Sequence, residues 1–314
     1  MNCKNECKIK SSMTADAEYG EVREQIGENG RFRTVTYGVF PGISLIYNDA
    51  HIQSFDDDRL PSANTIEINH CREGRMECHF RDEFCYAAPG DLVIGRADER
   101  SETTYFPLKH YHGITVRIDI EKAPGCLSCI LDDVTVRPQA LAEKFCGSRS
   151  CFTARSDASV EHIFSELYSV PEEIKKGYFK IKVLELLLFL SSFNIENDES
   201  KDKVFSKSQV ALAKEISRFL TENMDRRVTL EQLSDHFHVS GTHIKNIFKG
   251  VYGVPLYAYI RTVKMESAAY MLEYTDKTVT EIAGEHGYDN SSKFARAFRD
   301  VKGVSPSEYR NRLL

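Results

Sequence analysis

Three histidines in the N-terminal half have the chemistry and the spacing to bind a ligand. His110 and His112 are two residues apart, so in an extended strand they share one face with the apolar side chains at alternate positions of 114–118. His70 follows two isoleucines at the same spacing. If the apolar face of each strand points inward, all three imidazoles point into the interior of a barrel formed by these strands.

A neutral imidazole offers one hydrogen-bond donor and one acceptor, and three imidazoles together could bind Zn²⁺ or Fe²⁺. Three interpretations stay open: hydrogen-bonded core histidines, contacts to an organic ligand, or metal ligands. We predict a site for a small-molecule effector, and we assign neither a metal ion nor a cofactor. Arg117 lies on the opposite strand face from His112, so we expect it outside. The predicted effector-binding residues are His70, His110, His112, Arg96 and Tyr105.

Cysteine could also do chemistry, because the chain has nine cysteines, all before residue 152. Cys126 and Cys129 form a C-x2-C pair, and Cys3 and Cys7 form a C-x3-C pair, so zinc binding or a redox role are alternatives. The pairs are far apart in sequence, however. The segment 1–12 has no apolar core and is not expected to be a signal peptide. Without an export signal, we predict that the cysteines are free thiols and not a disulfide framework.

Two sets of polar side chains near the C-terminus are suited to contact DNA. Their hydroxyl, amide, imidazole and basic groups hydrogen-bond base edges and phosphates. Neither set contains an acidic residue, whereas an ordinary solvated helix face would carry both signs of charge. The first set is Thr242, His243, Lys245, Asn246 and Lys249, and the second is Ser291, Ser292, Lys293, Arg296 and Arg299.

An internal repeat of about fifty residues must position these two sets. The sequence 229–232 is a capping box, and 278–281 is the same box 49 residues later. After each box the pattern predicts a short helix, a break and a second helix with one apolar stripe. This is the helix-turn-helix plan, in which the second helix can enter the major groove of DNA. One helix over 256–273 would join the two copies.

The segment IAGEHGYDNSSKFARAFRDVKGVSPSEYR, residues 282–310, resembles the C-terminal signature of AraC/XylS-type transcription regulators. The upstream segment LEQLSDHFHVSGTHIKNIFKGVYGVPLYAYI is similar to the first helix-turn-helix of that family. The resemblance covers about a hundred residues and implies a domain that inserts two helices into successive major grooves. Lys293 stands where the family usually has an aromatic residue, and Asn246 where a basic residue is common. By position, the base-reading sites of the family match Thr242, Lys245, Asn246, Ser291, Ser292, Lys293 and Arg296.

The N-terminal half has a different pattern of apolar residues, one that is typical of β-strands. Short alternating or apolar runs with turn signals between them, such as Pro89-Gly90-Asp91, predict many strands up to about residue 120, and helices follow. The resemblance implies a cupin-like β-barrel followed by dimerisation helices, although the HxHxxxE motif of cupin metal enzymes is absent. The stretch 183–193 is apolar almost all round, so it packs either within its own domain or against a second subunit.

Charge also separates the two halves. The 314 residues carry a net charge of −6, which combines +3 over 206–314 with −9 over the rest. A hydrophobic fraction of 41% excludes a wholly disordered chain. The longest apolar run, 183–190, contains Glu185 and is far shorter than the roughly 20 residues that span a membrane.

The sequence therefore predicts an α+β protein with an N-terminal cupin-like β-barrel and dimerisation helices, and a C-terminal all-α domain with two helix-turn-helix motifs. The expected boundaries are a flexible segment at 1–30, a sensor and dimerisation domain at 31–195, a linker at 196–207 and a DNA-binding domain at 208–314.

The predicted function is that of a cytoplasmic transcription regulator and not an enzyme. Its predicted partners are double-stranded promoter DNA, a small-molecule effector and a second copy of the chain, with RNA polymerase as a further candidate and no membrane. A cupin-type metal enzyme with a helical appendage and an alkyl-transfer DNA-repair protein are the alternatives. The close-set four-cysteine cluster expected of the repair protein is absent.

Overall fold

The computed structural model describes residues 10–15, 20–27, 30–57, 64–80, 83–127, 135–147, 151–195 and 204–311. The chain divides into an N-terminal unit, Met1–Lys207, and a C-terminal unit, Ser208–Leu314. Within the described ranges, no helix is both long enough and apolar enough to cross a membrane.

The N-terminal unit is built on two antiparallel sheets. Its strands are β1 Lys10–Ala15, β2 Glu21–Gly27, β3 Gly30–Phe40, β4 Ile43–His51, β5 Ser54–Asp56, β6 Thr65–Gly74, β7 Met76–Phe80, β8 Glu83–Ala87, β9 Asp91–Arg96, β10 Thr103–Tyr105, β11 Tyr111–Asp119, β12 Cys151–Arg155 and β13 Val204–Ser206. The larger sheet has the order β1-β2-β3-β4-β11-β6-β9-β12, and the smaller has the order β13-β8-β7-β10-β5. Gly90 has φ +80° in the turn before β9, a conformation that favours glycine.

Side chains of both sheets meet in one apolar cluster, which includes Val93 of the larger sheet and Phe55 and Cys85 of the smaller sheet. The two sheets therefore face each other. No described strand belongs to both sheets, so the closure expected of a barrel is not found among these residues.

Three helices cover the other face of the larger sheet: α1 Pro138–Cys146, α2 Ala158–Leu167 and α3 Lys175–Ser192. The aliphatic side chains at alternate positions of β4, β6 and β11 form one buried core with the helical residues Phe145, Phe164 and Leu187. The apolar face of these strands is thus buried against helices, and the opposite face looks towards the smaller sheet.

The structure differs from the expected boundaries in three places. Residues 10–15 and 21–27, expected in a flexible segment, form β1 and β2, because each pairs along its length with its neighbour. The strand β12 interrupts the helical region, since Cys151–Arg155 pairs with β9. The end of the expected linker forms β13 on the edge of the smaller sheet, whereas 196–203 lies outside the described residues.

The C-terminal unit is helical, and each helix-turn-helix copy contributes one short helix and one reading helix. Its helices are α4 Lys207–Glu222, α5 Leu230–Phe237, α6 Gly241–Tyr252, α7 Leu256–Tyr274, α8 Val279–Glu285, α9 Ser291–Lys302 and α10 Pro306–Asn311. The ring of Phe248 meets Tyr259 edge-on at 5.3 Å, and the ring of Phe298 meets Tyr309 in the same way at 5.5 Å. The repeat seen in the sequence is therefore also a repeat of contacts.

Candidate functional site

The predicted capping boxes are present at the starts of α5 and α8. Thr229 Oγ1 accepts a hydrogen bond from the Gln232 backbone N–H at 3.2 Å, and Gln232 Oε1 accepts one from the Thr229 N–H at 2.9 Å. Thr278 and Glu281 repeat both bonds at 3.2 and 2.7 Å. The two boxes set the starts of the short helices, which support the reading helices.

Tight turns then direct the chain into the reading helices α6 and α9. His238, the residue that follows α5, adopts the left-handed conformation with φ 56°. The Ser240 hydroxyl caps α6, and the Asn290 amide oxygen caps α9 by accepting from two backbone N–H groups. Each reading helix is thereby anchored at its N-terminal end, where helices of this kind meet base edges.

All ten predicted DNA-binding residues lie on the faces of α6 and α9 that are turned away from the core. Nine are exposed, and Ser291 is half-buried with its hydroxyl 3.4 Å from Thr280 Oγ1. Arg299 approaches Glu308 at 3.8 Å. Lys245 and Arg296 form no ion pair with any residue that the structure describes. Their charges are therefore available to an anionic partner.

A separate cavity of about 200 Å³ lies in the N-terminal unit between the two sheets. Its polar side is formed by residues at alternate positions along strands of the larger sheet, including Thr34 of β3, Asn48 of β4 and Thr115 of β11. Thr115 Oγ1 donates to Asn69 Oδ1 at 2.7 Å and accepts from Asn48 Nδ2 at 2.9 Å. Phe32, Phe55, Met76 and Phe106 supply apolar walls.

Glu67 is the central charged group of this cavity. Its carboxylate accepts hydrogen bonds from Arg117 Nε at 2.8 Å and from an Arg100 terminal nitrogen at 3.2 Å. Burial alone would raise the pKa of Glu67, but the two guanidinium groups outweigh it and lower the pKa below the usual glutamate value. Asp57 pairs with Arg23 at 3.0 Å, so the charges around the cavity are largely compensated.

Comparison with known proteins places this chain among transcription regulators. The Helix-turn-helix domain family matches residues 233–312. The HTH-type transcriptional activator AarP of Providencia stuartii is 30% identical over 111 residues, which cover 35% of this chain and 82% of AarP. The chain belongs to the AraC/XylS family of transcription regulators.

Other similarities are more limited. An uncharacterised HTH-type transcriptional regulator of Staphylococcus aureus (strain COL) is 24% identical over 180 residues, or 54% of this chain and 24% of that protein. The chain thus spans about a quarter of that relative's length. The solved C-terminal domain of AraT, a response regulator from Geobacillus stearothermophilus, is 27% identical over 32% of this chain and 84% of that domain, with a TM-score of 0.32.

The five predicted effector residues of this AraC/XylS regulator do not line the cavity. Strand parity is as expected for His70 and His112, which share the apolar faces of β6 and β11, whereas His110 lies one residue before β11 begins. The expectation that these faces point into the interior between the sheets is wrong, because helices cover them. Arg96 also lies on that helix-covered face, and its guanidinium donates to Asn64 at 3.3 Å. Tyr105 faces away from the cavity, and its hydroxyl accepts from Gln53 at 2.8 Å.

His70 is a buried histidine of the core. Its ring stacks on Phe164 with a centroid distance of 4.1 Å, and Nε2 lies 2.6 Å from a Glu161 carboxylate oxygen. Burial lowers the pKa of His70, against the opposing effect of Glu161. His110 and His112 are half exposed and lie beside His51.

The cavity contains residues that the sequence reasoning missed or placed outside. Arg117, expected outside, lines the cavity together with Glu67, Asn69 and Tyr111. A signal in the sequence could have found them. On the paired strands β6 and β11, the polar residues alternate with the apolar ones and so share the opposite face; they are Glu67, Asn69, Thr115 and Arg117. Burial raises the pKa of the Tyr111 hydroxyl well above its usual value, so this group is neutral.

The cysteine prediction is tested only in part. The six cysteines within the described residues are thiols, and Cys85 Sγ lies 3.1 Å from Cys151 Sγ. Cys3, Cys7 and Cys129, which the zinc alternative requires, lie outside the described residues.

Proposed function

We propose that this regulator reads promoter DNA through the exposed faces of α6 and α9, one in each of two successive major grooves. The observation that carries the proposal is the presence of two capped, core-anchored helices with exposed basic and hydrogen-bonding side chains. The contacting residues would be Thr242, His243, Lys245, Asn246 and Lys249 on α6, and Ser291, Ser292, Lys293, Arg296 and Arg299 on α9.

Selection of binding sites from a random duplex pool with the purified chain tests this proposal. Footprinting of the selected duplexes should reveal two contacted segments whose centres are about 10 base pairs apart, one helical turn. Failure to enrich any sequence, or protection of a single segment only, would contradict a two-helix reading of DNA.

We also propose that the chain acts as a homodimer through α3. Ile174, Ile181 and Leu188 are spaced by seven residues and are 52%, 64% and 38% exposed, so they form an apolar stripe on one side of the helix region. The opposite side of α3, which includes Leu187 and Leu190, is buried in the core of its own unit. The apolar stretch 183–193 would thus serve both the core and the dimer.

The N-terminal unit, in this proposal, is a cupin-like sensor whose effector binds in the cavity between the sheets. Cavities that combine apolar walls with a few convergent polar groups are the usual form of small-molecule sites. Its charged side chains pair with one another, and Thr34, Asn48 and Thr115 supply uncharged polar groups. These features favour a small, uncharged polar organic molecule with an apolar edge.

A thermal-shift screen of small uncharged polar compounds tests the effector site. Thr34→Phe would fill the cavity, whereas Val35→Phe on the other face of the same strand is the matched control. Compounds that stabilise the unaltered chain and the Val35→Phe variant should not stabilise the Thr34→Phe variant. Equal stabilisation of all three proteins would mean that these compounds bind elsewhere.

We propose that the regulator works in the cytoplasm, where it would bind promoter DNA and act on transcription together with RNA polymerase. A pull-down of RNA polymerase on promoter DNA, with and without the regulator, measures that interaction.

A further inference from the structure

Three imidazoles meet where β4 ends and β11 begins, outside the cavity described above. The ring centroids of His51 and His110 are 5.2 Å apart, those of His51 and His112 are 5.3 Å apart, and those of His110 and His112 are 4.7 Å apart. One nitrogen from each ring can be chosen so that all three lie within 4.8 Å of one another. The antiparallel pairing of Tyr111 with Ala50 and of His112 with Asp49 brings the rings together.

A carboxylate lies beside this three-histidine cluster. Asp49 Oδ1 is 3.0 Å from His51 Nε2 and 3.4 Å from His112 Nδ1. This oxygen is buried and, among the described residues, has no hydrogen-bond partner of suitable geometry. The other oxygen of Asp49 is 3.7 Å from an Arg31 nitrogen, and Glu73 approaches His110 at 3.6 Å. Two carboxylates thus give the cluster a negative surrounding, which favours a bound cation over three unliganded rings.

We propose that His51, His110 and His112 bind a divalent transition-metal ion of the zinc class, with Asp49 orienting the imidazoles. Three nitrogen donors suit zinc and its neighbours in the first transition series, whereas Mg²⁺ and Ca²⁺ require oxygen ligands. Zinc–nitrogen bonds of about 2.0–2.1 Å place the three nitrogens roughly 3.3 Å apart in a tetrahedral site. The half-exposed rings reach that separation by side-chain rotation, while the paired strands stay in register.

The metal site is distinct from the effector cavity, because the two lie on opposite faces of β11. His110 and His112 flank Tyr111 in sequence, and the Tyr111 ring faces the cavity and stacks against Phe106 at 5.6 Å. The three ligands leave the fourth coordination position open to water, as in sites that exchange their metal or bind a further ligand. The ion would join the end of β4 to the start of β11.

Metal titration of the full chain, free of any affinity tag and with reduced thiols, tests the proposal. Zn²⁺ binding is measured in competition with a chromophoric chelator, and Co²⁺ binding by its visible absorption. We expect one ion per chain at this site, and Co²⁺ bands without the near-ultraviolet charge transfer that thiolate ligands produce. That spectrum separates the histidine cluster from the cysteines.

Substitutions then assign the ligands. His112→Gln and, as a second variant, His51→Gln should weaken Zn²⁺ binding more than about 100-fold, and Asp49→Asn should weaken it about 10–100-fold. His162→Gln is the matched control, because His162 is exposed on α2 and pairs with Glu166 at 3.3 Å. Circular dichroism verifies that each variant is folded. Undetectable binding by the unaltered chain, equal binding by the triple His→Gln variant, or a persistent thiolate band would overturn the proposal.

Discussion

Arg117 and Glu67 are joined across the paired strands β11 and β6, with Arg117 Nε donating to Glu67 Oε1 at 2.8 Å. Glu67 is only 2% exposed, and Arg100 binds its second oxygen. A buried carboxylate held by two guanidinium groups remains charged, because those groups lower its pKa. This ion pair is the charged centre of the cavity between the two sheets, and it links that cavity to the stability of the N-terminal unit.

Glu67→Gln should lower the free energy of unfolding of the N-terminal unit by about 3 kcal/mol at pH 7, because it removes the buried carboxylate that pairs with both Arg117 and Arg100. The folded-state pKa of Glu67 lies below the ordinary value of 4.5. Its stabilising effect is therefore fully present above about pH 4.5 and is lost as the pH falls through the lowered folded value. Urea denaturation at several pH values measures both effects.

The exposed Glu102 provides the control for that experiment, since Glu102→Gln should leave the stability at pH 7 unchanged. A Glu67→Gln variant as stable as the unaltered protein at pH 7 would mean that the ion pair contributes no net stability.

Arg296→Ala and Lys245→Ala should each weaken operator binding by about 1–3 kcal/mol if their side chains contact bases. The two losses should map to different half-sites, because the residues lie on α9 and α6. Binding measured by fluorescence anisotropy on duplexes with one half-site altered distinguishes them. Arg218→Ala, an exposed basic residue on α4, controls for the general loss of positive charge. If the control weakens binding as much as Arg296→Ala does, the contacts are not specific to the reading helices.

Substitutions on the two sides of α3 should separate assembly from folding. Ile181→Glu and Leu188→Glu place a charge on the exposed stripe and should yield folded monomers. Leu187→Glu places a charge in the core, where the side chain is 0% exposed, and should unfold the N-terminal unit. Light scattering and circular dichroism together measure the outcomes. A monomeric unaltered chain at micromolar concentration would contradict the dimer.

The fragment 206–314 should fold alone and bind DNA more weakly than the full chain. Its helices share a core of their own, which includes Met265, Ile282 and Phe298. The net charge of this fragment is only +3, so specific contacts must supply much of the affinity. Binding should still fall steeply with salt, since phosphate contacts release counterions. Circular dichroism of the fragment tests the boundary, and a fragment without helical signal would contradict it.

The C-terminal unit could be predicted from sequence because its signals are local. Two capping boxes 49 residues apart, apolar stripes at helical spacing and the breaks between paired helices act over one or two helical turns. The same locality made the exposed faces of α6 and α9 predictable, since the residues of a helix that are not in its apolar stripe face outward. In the N-terminal unit, alternation likewise predicted which residues of β6 and β11 share a face.

Alternation cannot tell which face the helices will cover, because that depends on segments far along the chain. The apolar faces of β4, β6 and β11 are covered by α1–α3, so the cavity lies on the other face, with Glu67 and Arg117 inside it and His70 in the helical core. Likewise, His51 is about sixty residues from His110 and His112, and only the register of β4 against β11 brings the three rings together. Strand parity is a property of the local backbone, whereas the direction a sheet face points and the partners of a strand end are decided by tertiary packing.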